Sequence, residues 1–193
     1  MALTTVNKLK TVWINDQSSA NDSRLASLIT QSESIINNIC KQPVTGQAVA
    51  YDFVGDGNRV HLLHYTVPVV MNSIQERDNP YDAWSTITGP VVFNTGGVTS
   101  LYKDDGFVKV LYRANLTVGY DGTTNAVPAD LEEIASEIVV ELFKMTDFGG
   151  RENRFGVQSI AVNQGGMTQT TVYRDLMARF KSRLRPYTTL GYR

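Results

Sequence analysis

Pro128-Ala-Asp-Leu-Glu-Glu-Ile-Ala-Ser-Glu-Ile-Val-Val-Glu-Leu-Phe-Lys-Met-Thr-Asp147 is the stretch that decides the fold. Leu131, Ile134, Ala135, Ile138, Val139, Leu142 and Phe143 recur at three- and four-residue spacing, which predicts a helix with one wide apolar face. Pro128 suits its first turn, where an N–H would have no helical partner. Asp130, Glu132 and Glu133 complement the positive end of the helix dipole. Such a face needs a partner, and Asn21-Asp22 opens one. Leu25, Leu28, Ile29, Ile35, Ile36, Ile39 and Cys40 form its apolar side, with Arg24, Gln31, Glu33 and Asn37 opposite, until Pro43 and Gly46 end it. The two stripes predict an antiparallel pair, Asn21–Lys41 against Pro128–Asp147. A shorter helix, capped by Thr4 or Thr5, runs to about Ile14 with Val6, Leu9 and Trp13 on one side.

Between the two long helices the period switches toward two and turn residues become dense, as short strands require. Ala48–Phe53 and Arg59–Tyr65, separated by Gly55-Asp-Gly-Asn, read as a hairpin. Val67–Ile74, Val91–Phe93, Val98–Lys103, Phe107–Arg113 and Leu116–Tyr120 are further strand candidates, and Asp104-Asp-Gly is a second turn of the same kind. The predicted fold class is therefore α+β: a small helical bundle of two main antiparallel helices plus short terminal helices, an inserted antiparallel β unit over about 47–120, and an extended C-terminal arm. Residues 1–147 form the core and 148–193 the linker, arm and tail. A chain of 193 residues suffices for one domain-sized core.

Composition narrows the class. Apolar residues at 42% and charged residues at 19% describe a folding globular chain. The opening Met1-Ala-Leu-Thr-Thr-Val-Asn-Lys-Leu-Lys lacks the apolar run of a signal peptide, no apolar stretch approaches bilayer length, and Cys40 is the only cysteine. These features predict a protein made and kept in a cytoplasm, without a membrane partner. The net charge of −1 hides an asymmetry: Gly150–Arg193 holds eight Lys and Arg against two acids, +6, so residues 1–149 carry −7.

The last third has three parts of interest. Val157–Val162 and Met167–Val172 flank Asn163-Gln-Gly-Gly like a hairpin arm, so Val157, Ile160, Val162, Gly165, Gly166 and Val172 are candidates for contact between copies. Arg174, Arg179, Lys181, Arg183 and Arg185 sit beside Leu176, Phe180 and Leu184, with Tyr187 after Pro186. This basic segment admits a solvated face, a nucleic-acid contact, or docking on an acidic protein surface. The i, i±4 spacing of Leu176, Phe180 and Leu184 favours a protein-facing stripe over base stacking. Glu133, Glu137 and Glu141 line one helical face, either as solvated surface or as an acidic wall facing passing DNA.

Catalytic chemistry has little to stand on. His61 and His64 are three apart, a spacing that on a strand sends them to opposite faces, away from a shared metal. Asp104-Asp105 reads as turn acids diverging into water, and Gly55-x-Gly57 lacks the third glycine and following helix of a dinucleotide site. No G-x-S-x-G or P-loop occurs in the sequence. The expectation is a non-enzyme without cofactor or metal.

The order of these pieces resembles the head–tail connector proteins of tailed bacteriophages, the adaptor or head-completion family. The resemblance rests on Met1-Ala-Leu-Thr-Thr-Val-Asn-Lys-Leu-Lys, Arg24-Leu-Ala-Ser-Leu-Ile-Thr-Gln-Ser-Glu-Ser-Ile-Ile-Asn-Asn-Ile-Cys, Tyr65-Thr-Val-Pro-Val-Val-Met-Asn-Ser-Ile, Val127-Pro-Ala-Asp-Leu-Glu-Glu-Ile-Ala and Leu184-Arg-Pro-Tyr. It implies a ring of twelve copies in the virion neck, assembled in the host cytoplasm beneath the portal protein. The ring would continue the passage for double-stranded DNA and meet a downstream tail-completion or stopper protein. Asp78–Lys103 makes the β region longer than in compact relatives, as a peripheral decoration or a receptor for a tail or collar protein. A cytoplasmic nucleic-acid-binding or regulatory module using the basic tail is the alternative.

Overall fold

The computed structural model describes residues 2–15, 18–95, 98–147, 159–164, 167–172 and 176–189. The chain divides into two compact units, a helical one from Ala2–Ile39 and Pro128–Pro186 and a β unit from Cys40–Val127 and the residues after Pro186.

In the helical unit, α1 (Val6–Lys8) passes into a π-helical stretch, Leu9–Ile14. The Thr5 hydroxyl caps α1 by accepting from the Lys8 N–H, and Asn15, in the left-handed region at φ 53°, ends the stretch. Helix α2 (Asp22–Cys40) follows a 3-10 turn capped by Ser18, and α3 (Ala129–Asp147) starts on Pro128, whose carbonyl accepts from the Glu132 N–H. The apolar face read from the sequence is buried: Leu131, Ala135, Ile138 and Val139 are fully enclosed, as are Leu25 and Ile36 on α2. The packing differs in detail from a simple pair. Helix α3 lies against the π-helical stretch after α1 and against the C-terminal helix α4 (Leu176–Leu184). Its link to α2 includes Arg24, whose guanidinium sits 4.5 Å over the Phe143 ring. Thr4, buried, meets the Ser136 hydroxyl at 3.0 Å, fastening the N-terminal segment to α3.

The β unit has two antiparallel sheets. β1 (Gln47–Val54), β7 (Leu111–Val118), β3 (Val69–Arg77) and β4 (Ser85–Ile87) form one in that order; β2 (Val60–Leu62), β6 (Val98–Tyr102) and β5 (Val91–Thr95) form the other. Along β7, Tyr112, Ala114, Leu116 and Val118 are buried while Arg113, Asn115 and Thr117 alternate onto the opposite face. With Phe53, Leu63, Val67, Ile74, Leu101 and Phe107 they make the unit's core.

Here the expected hairpin is corrected. β1 pairs with β7, from Gln47↔Val118 to Val54↔Leu111, and β2 pairs with β6. Gly55–Asn58 does not fold one strand back on the other; it crosses from one sheet to the other. The Gly55 N–H donates to the Val110 carbonyl, the Gly57 N–H to Phe107, and the Phe107 N–H to Asn58, so the turn residues bond to the 107–110 loop. A Cβ on Gly55 would stand 2.1 Å from the Lys109 carbonyl oxygen, which only glycine avoids. The Asp104-Asp-Gly turn likewise closes locally, Gly106 N–H to the Lys103 carbonyl at 3.0 Å, but joins strands of different sheets. The two strand candidates after it merge into β7, and β4 within the long 78–103 region carried no sequence signal.

Candidate assembly surfaces

The C-terminal segment is built from its apolar positions. Phe180 and Leu184, one helical turn apart on α4, are 1% and 0% exposed, and α4 packs on α3. Beside them the Arg183 guanidinium crosses onto the acidic face of α3, with Nη1 2.7 Å from Glu137 Oε1 and Nη2 3.6 Å from Glu133 Oε2. The hydrogen bond to Glu137 raises the Arg183 pKa further above its ordinary value. The stripe expected to face a partner is thus interior at Phe180 and Leu184, because burying two large apolar side chains in the chain's own core outweighs presenting them to water. Tyr187 is buried as well, in the β unit. Its carbonyl accepts from the Gln42 amide and its ring meets Tyr120 edge-on at 6.4 Å. Gln42 also accepts from the Thr66 N–H at 3.2 Å, and the Thr189 N–H donates to Cys40 at 2.9 Å. Lys181 and Arg185 are exposed. Leu176 and Arg179 lie on α4, and Arg174 falls outside the described residues.

The acidic face of α3 is not bare. Glu133 is exposed, whereas Glu137 and Glu141 are half-buried and Arg183 lies across the first two.

Of the arm, β8 (Ser159–Gln164) carries Ile160 and Val162, and β9 (Met167–Val172) ends on Val172. They pair antiparallel from Ser159↔Val172 to Gln164↔Met167 and, among the described strands, only with each other. Val157, Gly165 and Gly166 lie outside the described residues.

The sequence did not reveal a cluster on the four-stranded sheet. The guanidiniums of Arg77 and Arg113 both approach the Trp84 ring, at 4.2 and 4.6 Å, and Arg113 holds Asp52 through two 2.7 Å hydrogen bonds. Those bonds keep the Asp52 carboxyl below the usual carboxylate range. Four residues scattered over sixty positions leave no local signal. The histidines are structural in form. His61 on β2 stacks on Phe53 at 3.9 Å, and burial lowers its pKa, while His64 stands off the strand with φ 59°. Among the described residues, no three His, Cys, Asp or Glu side chains gather as a metal would need, and no helix is long and apolar enough to cross a membrane.

A family model described as head completion protein matches residues 2–173. The chain belongs to the head completion protein family. Its fold is shared with solved neck chains. One, from the neck of an empty gene transfer agent particle computed with C6 symmetry, aligns with a TM-score of 0.57 at 12% identity, over 92% of this chain and 83% of that one. Another, from the neck of the native particle computed with C12 symmetry, aligns with the same score at 11% identity over 97% and 92%. A chain from the native virion matches equally, at 0.57 and 11%. No curated protein matches in sequence. The family is that of head completion proteins, and the fold is the one this chain shares with those neck chains.

Proposed function

We propose that the chain forms a ring of twelve copies beneath the portal, joining the capsid to a downstream tail-completion protein and continuing the channel for double-stranded DNA. The observation that carries this reading is the arm. A hairpin of two six-residue strands that pair only with each other among the described strands is marginal alone in water, and contact with another copy would complete it. The neck of the native gene transfer agent particle, whose chain shares this fold and which was computed with C12 symmetry, supports the copy number. Docking on an acidic portal surface falls to the exposed cations Lys181 and Arg185, with Arg174 and Arg179 as further contributors, since Arg183 is engaged by Glu137. The α3 face of Glu133, Glu137 and Glu141, with Arg183 held across the first two, would line the DNA passage and keep the polyanion from sticking.

The test is attachment to portal-containing capsids. Lys181→Glu with Arg185→Glu should leave the melting temperature unchanged and abolish joining at moderate salt. Normal attachment of that double variant removes the docking role. An image of assembled particles with no density for the chain between portal and tail removes the ring.

A further inference from the structure

The outer edge of β1 is unusual among the four sheet edges of the β unit. It is eight residues long, against three for β2 and β4 and five for β5. Bonded and non-bonded pairs alternate in an antiparallel ladder, and the Gly55 N–H donates to Val110. Counting back by twos along the register, Phe53↔Tyr112, Tyr51↔Ala114, Val49↔Leu116 and Gln47↔Val118 are the bonded pairs. Ala48, Ala50, Asp52 and Val54 therefore aim their backbone N–H and C=O groups away from β7, and all four are exposed. Protected edges carry lysine, proline or inward charge. β1 has neither Lys nor Pro, and its one charge, Asp52, is held on the sheet face by Arg113.

The arm has the complementary need. β8 and β9 are six residues each, contain no charged residue and no proline, and as a two-stranded ribbon lack a third strand. We infer that the outer edge of β1 is the seat for the arm of a neighbouring copy, one arm strand pairing along Ala48–Val54 and extending the four-stranded sheet. This rests on the ring reading. Donor and acceptor are different surfaces, so the contact is head-to-tail, the kind that closes into a ring when the rotation allows. Main-chain bonds hold the added strand, and the small Ala48 and Ala50 side chains leave its approach open.

Amide exchange on the full chain, alone and joined to portal-containing capsids, tests this. The amides of 48, 50, 52 and 54 should exchange fast in the monomer and slow at least about tenfold on assembly, while 47, 49, 51 and 53 are protected in both. Fast exchange of the even set in the assembly overturns the contact. Ala50→Pro removes only an edge-facing N–H, so the monomer should melt as the wild type does while its incorporation falls. Incorporation equal to wild type overturns the contact and leaves the ring standing. Wild-type chain that stays monomeric beside portal-containing capsids overturns the ring reading and this contact with it. Even-set protection in a chain lacking 159–172 overturns the arm as occupant and gives the edge to a partner's strand.

Discussion

Arg183 lies 2.7 Å from Glu137, a carboxylate whose side chain is only 15% exposed, and this pair fastens α4 onto α3 over the buried Phe180 and Leu184. A segment that reads in sequence as a cationic tail is therefore part of the helical interior. Arg183→Ala should cost under about 1 kcal/mol, since its own side chain is partly exposed and water screens the pair. Thermal melts at low and high salt check this: the wild-type advantage should shrink as salt rises.

Phe180→Ala should cost about 3–5 kcal/mol, because a fully enclosed ring leaves a cavity that close packing fills poorly. Truncation after Val172 should destabilise the protein for the same reason. A truncated chain that melts like the full one would refute the packing of α4.

Ile138, at 0% exposure, sits in the helical core. Ile138→Asp places an unpaired carboxylate there and should lower stability by about 3 kcal/mol or more. Denaturant midpoints of the two proteins decide the point.

Burial of His61 against Phe53 keeps its pKa below the ordinary 6.5, with Asp56 opposing weakly. The unfolded chain then takes up a proton before the folded one, so this histidine's contribution is flat above about pH 6.5 and stability is lost as pH falls below it. His61→Phe should flatten that part of the profile. A variant with the wild-type slope would assign it to another group.

Cys40 is fully buried and its thiol is pushed up to about 11. At pH 8 the native protein should resist a disulfide reagent that labels the unfolded chain promptly, followed by thiolate release at the reagent's absorbance. Equal rates in both states would mean that the α2 terminus opens readily.

Elements were legible in the sequence where their period is long and local. The stripes from Leu25 to Cys40 and from Leu131 to Phe143 repeat often enough to define two helices, and most strands fall near their predicted ranges. Strand partners were not legible. Gly55-Asp-Gly-Asn has the residues of a hairpin turn, yet β1's partner stands some sixty residues away, and only the match of inward faces across β7 selects it. Likewise an apolar stripe flanked by cations looks the same whether it meets a partner or its own core. Glu133 and Glu137 on α3, four residues apart and facing Arg183, were the missing half of that reading.

The clasp of Gln42 on the Tyr187 carbonyl spans 145 positions, and the Thr189 N–H reaches back to Cys40 in the same way. The strands of the β unit are all made before residue 119, but its last stitches wait for residues 187–189 to leave the ribosome. A nascent or prematurely terminated copy would thus present a β unit in which Gln42 and Cys40 lack these late partners.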